Sequence, residues 1–179
     1  MLTIIIPAVE QFDENKEEFI NSREQKIQLE HSLVSLSKWE SKWCKPFLAK
    51  TEKTTEESID YIRCMTITQN VDQNTYNFIT RENIQEVSEY IEAPMTATVI
   101  NNQGVSRNRE TITAEIIYYW MVTMNIPFEC QKWHLNRLLT LINVTNIKSK
   151  PPKKMGGRAL MSRNHALNAA RRKQHNTNG

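Results

Sequence analysis

Residues 2–6 (LTIII) are short and β-branched and stop at Pro7, the pattern of a buried strand. Asp13, Glu14 and Asn15 then signal a turn, and a second extended stretch is expected around residues 18–20. In residues 26–34 (KIQLEHSLV), Ile27, Leu29 and Leu33 alternate with Gln28, Glu30 and Ser32, with His31 interrupting the apolar side. That alternation predicts a half-buried strand and hence a small N-terminal antiparallel sheet, with a helix over residues 24–34 as the competing reading.

From Ser37 the period changes to that of a helix. Ser37 and Glu40 read as a capping box, Trp39 and Trp43 share a face, and Pro46 limits the run. Thr54 and Glu57 form a second box before Ile59, Ile62 and Met65. Thr80 precedes a third helix, with Ile84, Val87 and Ile91 on one side. Glu56, Glu57, Glu82, Glu86 and Glu89 are expected on the outer faces. Residues 95–110 lose periodicity and read as an exposed loop. Residues 112–124 (ITAEIIYYWMVTM) are apolar nearly all round and predict a buried central helix. The break at Asn125, Ile126 and Pro127 leads to a second helix with Leu135, Leu138, Leu139 and Ile142 on one side, and the two together predict a helical hairpin that anchors the fold.

After Asn146, the Pro-Pro and Gly-Gly pairs of IKSKPPKKMGGR mark a linker, and residues 158–174 are helix-capable but expected to stay unfolded until bound. The expected fold class is therefore α+β and mainly helical, with the small sheet, a helical body ending in the hairpin, and a basic tail. Its expected division is a globular domain of residues 1–147, with the sheet in 1–36 and the helices in 37–147, followed by a basic flexible tail of residues 148–179.

Charge sharpens that division. Of the 23 Lys and Arg, eleven lie after Glu129, where there is no Asp or Glu; the first 129 residues hold all 20 acids and the other twelve bases. The formal total of +3 hides this asymmetry, which points to a partner-binding end. Four glycines and no GxGxxG or GxxxxGK[ST] disfavour a nucleotide-binding fold. Three cysteines with no CxxC pair fit reduced thiols. Residues 116–122 are too short to span a bilayer, and MLTIIIP lacks the basic lead of a signal peptide, so a cytosolic location and no membrane partner are expected.

Candidate chemistry is sparse. Cys130 and His134 are spaced for one helix face and are candidates for a thiol nucleophile and base, or for metal ligands with Cys44, Cys64 or His31. Without paired ligand spacings, the stronger reading makes Cys130 a small buried hydrophobe and His31 and His134 hydrogen-bonded core or boundary residues. Glu110 reads as a first-turn helix charge; Glu115, among apolar neighbours, is a candidate for burial, with a side-chain hydrogen bond or an ion pair to a basic residue as the default expectation. No triad or acidic metal cluster is present, so neither catalytic residues nor metal nor cofactor is expected and an enzyme is disfavoured. Trp133 and Arg137 are spaced for a cation–π contact. Trp39, Trp43, Tyr118, Tyr119 and Trp120 supply aromatic mass that is either core or an interface for a client or a second copy. The tail lacks the aromatic interleaving of a single-strand-binding platform, which makes nucleic acid the less favoured partner.

Residues 29–48 (LEHSLVSLSKWESKWCKPFL), 94–98 (PMTAT) and 114–142 (AEIIYYWMVTMNIPFECQKWHLNRLLTLI) resemble a family of tailed-bacteriophage tail assembly chaperones. The resemblance implies a non-enzymatic helical adaptor in the host bacterial cytoplasm. Such an adaptor coats the tape-measure protein, prevents its aggregation and leaves as tail tube subunits assemble. The family is often made in short and frameshifted long forms. Partner contacts are then expected from Trp39, Trp43, Tyr118, Trp133 and Arg137 on the body and from Lys153, Lys154, Arg171, Arg172 and Lys173 on the tail. The tape-measure protein is the expected partner, with the tail tube protein and a second copy of the chain as further candidates. The alternatives are a virion structural or connector protein and a nucleic-acid-binding accessory protein using the tail.

Overall fold

Four strands open the chain: β1 (Leu2–Ile6), β2 (Val9–Asp13), β3 (Glu18–Ser22) and β4 (Gln25–Leu29). The computed structural model describes residues 1–13, 18–99, 111–150 and 156–177, with backbone alone for residues 9–22. β1 pairs antiparallel with β4, from Leu2 opposite Leu29 to Ile6 opposite Gln25. β2 pairs likewise with β3, from Val9 opposite Ser22 to Asp13 opposite Glu18. The two ladders keep one register, interrupted at Pro7 and Ala8 on one side and Arg23 and Glu24 on the other, so the expected N-terminal sheet takes the form of two two-stranded ladders. Proline cannot donate a ladder hydrogen bond, which fits its place in that gap. Alternation decides which face is buried: Ile4, Ile6, Ile27 and Leu29 are in the core, while Ile5 lies 52% exposed among them.

The helices are α1 (Leu33–Trp43), α2 (Thr55–Met65), α3 (Arg81–Glu92), α4 (Ala114–Thr123), α5 (Leu135–Ser149) and α6 (Gly157–His175), with short 3-10 turns at Gln73–Phe78 and Phe128–Lys132. The fold is mainly helical with the small antiparallel sheet at its N-terminus. Two compact units result, Met1–Ile147 and Lys148–Gly179. α5 continues to Ser149, past the composition break at Asn146.

α1 begins earlier than its expected box at Ser37 and Glu40. Its cap is Ser32, whose hydroxyl accepts from the Ser35 amide at 3.3 Å while the Ser35 hydroxyl accepts from the Ser32 amide at 2.8 Å. Leu33 is thus helical rather than the end of a strand, and the change from sheet to helix falls before residue 36. Leu33, Leu36, Trp39 and Glu40 form the buried side of α1, which packs on α2, on α4 and on the 3-10 turn at Phe128–Lys132. The expected Thr54–Glu57 box is present. Glu57 is nevertheless buried, not on the outer face, because Lys45 pairs with its free carboxylate oxygen. In α3 the buried side is Asn83, Val87 and Tyr90, rotated from the expected stripe so that Ile84 is partly exposed.

Ile112 to Met124 is not buried all round. Ala114, Ile117 and Met121 face the core, while Tyr119 is 64% and Val122 58% exposed. The main packing partner of α4 is α1 rather than α5, so the expected hairpin is not a self-contained anchor. Asn125, with φ 52°, supplies the left-handed residue of the break; asparagine tolerates that region better than most side chains. α5 is held at its start, where the Leu135 amide donates to the His31 carbonyl at 2.7 Å and Asn136 Nδ2 donates to the carbonyls of Ile91 and Ala93. Residues 158–174, expected to be unfolded, lie within α6. Alanines and a last turn bearing Arg172, Lys173 and His175 favour a helix there.

Glu40 is the tertiary pin of the first unit. Its Oε1 accepts from the Phe47 amide at 2.8 Å and its Oε2 from the Ala114 amide at 2.7 Å. The second bond satisfies a first-turn amide of α4, whose own N-cap, Thr113, makes no side-chain bond. Glu40→Ala is expected to cost about 2 to 4 kcal/mol by orphaning two buried amides. The exposed Glu56→Ala is expected to stay within about 0.5 kcal/mol, both read by urea denaturation.

Candidate partner-binding site

Trp39 is a core residue rather than a contact surface. It is 1% exposed, donates its indole N–H to the Glu57 carbonyl at 2.9 Å, and meets Phe47 edge-on with centroids 5.0 Å apart. A large aromatic near the helix centre is drawn inward because its burial dominates local packing. Trp43 stacks on it at 6.2 Å but is only half-buried, its N–H donating to Asp60 Oδ2 at 2.9 Å. Asp60 also binds Lys42 at 2.6 Å and Arg63 at 3.3 Å. Burial pushes the Asp60 carboxyl up, but these donors and cations outweigh it and hold it below its ordinary value. The seam between α1 and α2 is therefore sealed by its own polar groups, with the outer edge of Trp43 as its accessible part.

Tyr118 belongs to a second group. It is half-buried, its hydroxyl donates to Gln131 Oε1 at 2.9 Å, and its ring lies 6.3 Å from that of Phe128. Beside it, Tyr119, Val122 and the 53%-exposed Phe128 form an apolar patch. Sequence reasoning missed Val122 and Phe128. For Val122 the signal is the helical offset from Ile117 and Met121, masked by the uniform hydrophobicity of α4; Phe128 lies in the 3-10 turn beyond the Asn125 break, where helical periodicity gives none. Glu115, a candidate for burial, is exposed on this helix. Ala114 enters the core in its place, and Glu115 keeps its hydration. Trp133 and Arg137 do meet, the guanidinium carbon 4.3 Å from the ring centroid; Trp133 is half-buried and Arg137 exposed.

On the C-terminal unit, Arg171, Arg172 and Lys173 are consecutive and exposed near the end of α6. Lys153 and Lys154 lie outside the described residues, as does Glu110. Every described side chain from Gly156 to Thr177 is exposed. On the body, Trp39 meets Trp43, Tyr118 meets Phe128 and Trp133 meets Arg137, while the cations of α6 belong to the other unit.

Of the candidate chemical residues, Cys130, His31 and His134 lie in the core, Cys64 is half-buried and Cys44 is exposed. Cys130 and His134 are both buried, and His134 does not serve a thiol: its Nε2 donates to the Tyr90 carbonyl at 3.0 Å and its Nδ1 accepts from the Asn136 amide at 3.3 Å. His31 Nδ1 shares a 2.6 Å hydrogen bond with the Tyr61 hydroxyl, and the two imidazoles meet edge-on at 5.1 Å. Tyr90 donates to Glu30 at 2.7 Å, and the N-terminal ammonium of Met1 pairs with the same carboxylate at 3.0 Å. A groove of about 500 Å³ beside that pair is lined by Lys38, Cys64, Ile67 and Lys132 among others. Burial pushes the Cys64 thiol up, which disfavours the reactive thiolate. Among the described residues no group of three or more His, Cys, Asp or Glu could hold a metal ion, and no helix is long and apolar enough to cross a membrane. No known protein family, curated protein or solved structure matches this chain.

The histidine pair makes stability depend on pH. Burial, and secondarily the neighbouring His134, lowers the pKa of His31 from 6.5 to about 3, and burial lowers that of His134 as well. Between those values the unfolded chain binds protons that the folded chain refuses, so unfolding is favoured as pH falls. The contribution is complete above the ordinary value of 6.5 and is lost progressively toward about 3. Urea midpoints measured across this range should fall steadily with acidification, and a flatter profile is expected for His31→Gln once compared at equal starting stability.

Proposed function

We propose that this chain is a non-enzymatic assembly factor of a tailed bacteriophage, a tail assembly chaperone acting on the tape-measure protein in the host cytoplasm. The observation that carries the reading is α6: an acid-free helix, exposed along its whole length, on a unit of its own after the folded body. An appended, solvent-facing cationic helix suits capture and release of a client better than turnover of a small molecule. The resemblance in residues 29–48, 94–98 and 114–142 supplies the identity of that client. On the body, the patch of Tyr119, Val122 and Phe128, with Tyr118 beside it, offers apolar area to a helical client, and the Trp133–Arg137 pair offers an amphipathic anchor. Tail tube subunits would then displace the chaperone as the tube forms.

The nucleic-acid-accessory reading also draws on α6, since cations alone do not choose between phosphate and carboxylate. The two separate by salt: phosphate binding loses affinity steeply and linearly on a logarithmic salt scale. Gene context is a further discriminator, with a tail tube frame before this one and a very long helical frame after it favouring the chaperone.

Co-expression with the long helical product of the neighbouring frame should keep that product soluble and co-purify it. A chain ending at Ile147 is expected to melt as cooperatively as the body of the full chain by circular dichroism while capturing about tenfold less client, a loss of about 1.4 kcal/mol. Undiminished capture by the truncated chain would remove α6 from the binding site; loss of its melt would deny that the body folds without the tail.

A further inference from the structure

α6 carries, besides its charge, an apolar line that nothing in its own unit explains. Leu160 and Leu167 stand one heptad apart and are 45% and 46% exposed, and Ala170 lies on the same side of the helix. Ala159 and Ala166 precede the two leucines, so the shoulder of this line is made of small side chains that allow another helix to approach closely. No buried residue occurs in α6, so packing does not support it. A lone helix of this kind is marginal in water and gains most of its stability from burying an apolar face.

The charges around that line specify the partner. Arg158, Arg163, Arg171, Arg172 and Lys173 are spread around the helix, and no carboxylate lies among them. A nucleic-acid backbone would satisfy the cations but offers no counterpart to two leucines at heptad spacing. An amphipathic helix with leucine-like residues on one face and Asp or Glu beside them satisfies both. We propose that α6 is a docking helix for an acidic amphipathic helix of a partner protein, with Leu160 and Leu167 as its apolar anchors and Arg171, Arg172 and Lys173 selecting for acid. This names the partner chemistry of the assembly-factor reading and rests on that reading for the existence of a protein client.

The test uses the full chain and a labelled synthetic helix of about four heptads, with leucine at positions a and d and glutamate at e and g. Its companions are the same peptide with glutamine at e and g, a duplex DNA and a stem-loop RNA. Anisotropy titrations should show preference for the glutamate helix, weakened at least about tenfold in a Leu160→Gln, Leu167→Gln double variant and likewise with the glutamine peptide. The four tryptophans all lie in the body, so an unchanged near-ultraviolet tryptophan signal together with an unchanged far-ultraviolet helical signal in the double variant separates loss of docking from misfolding of the body or of α6. Equal affinity of the double variant and the parent chain, or tighter binding of either nucleic acid than of the glutamate helix, overturns the proposal. If the long helical client still co-purifies with the full chain while the glutamate helix fails to bind, this inference falls and the assembly-factor reading stands. Binding of the glutamate helix without co-purification upholds the docking helix and removes that client.

Discussion

A single buried carboxylate ties the first unit together. Glu40 sits on the inner side of α1 and accepts hydrogen bonds from the amides of Phe47 and Ala114, one just beyond the end of its own helix and one at the start of α4. Both acceptor oxygens are thereby occupied, the condition under which a buried carboxylate is tolerated. The geometry also fixes what packs where. Once Ala114 is held against α1, Ile117 and Met121 must enter the core and Tyr119 and Val122 must leave it. The exposed aromatic patch is thus a consequence of the pin as well as of the composition of α4.

A second polar group does for α5 what Glu40 does for α4. The His31 carbonyl receives the first amide of α5, while the His31 side chain meets Tyr61 and His134. His134 in turn reaches the end of α3 through the Tyr90 carbonyl. The turn after β4, the end of α3 and the start of α5 therefore share one buried network of neutral rings. Its members are polar enough to demand particular partners, so they set direction where aliphatic burial alone would leave several arrangements open.

Periodicity made much of this legible. β1 and β4, the Thr54 cap of α2, the break at Asn125 and the Trp133–Arg137 contact all follow from local signals, because strand alternation, capping and the i, i+4 spacing act over a few residues. The errors arise where a residue is claimed by something far along the chain. Ser37 and Glu40 have the spacing of a capping box, but Glu40 is taken by Ala114, and Ser32 caps α1 instead. Leu33 continues the alternation of Ile27 and Leu29, yet it begins a helix. Trp39 looked like a candidate contact because its spacing to Trp43 cannot reveal that Phe47 and Tyr61 cover it. In α4 the apolar run is so complete that it contains no record of which side α1 would choose. Residues 158–174 differ for another reason: alanine content and a cationic last turn favour the helix although no core receives it.

The charge asymmetry means something different once the acids are placed. Glu40 is consumed by amides, Glu57 by Lys45 and the Thr54 cap, Asp60 by Lys42, Trp43 and Arg63, and Glu30 by the N-terminal ammonium and Tyr90. Part of the negative charge of the first 129 residues is therefore neutralised locally and contributes little to the field outside. α6, by contrast, contains no carboxylate, and its side chains are exposed. The field of the α6 cations is a short-range one in physiological salt, decaying over roughly 8 Å. Such a field can steer a partner during encounter, but selectivity at contact has to come from the shape and apolar anchors beneath it, which in α6 are Leu160 and Leu167.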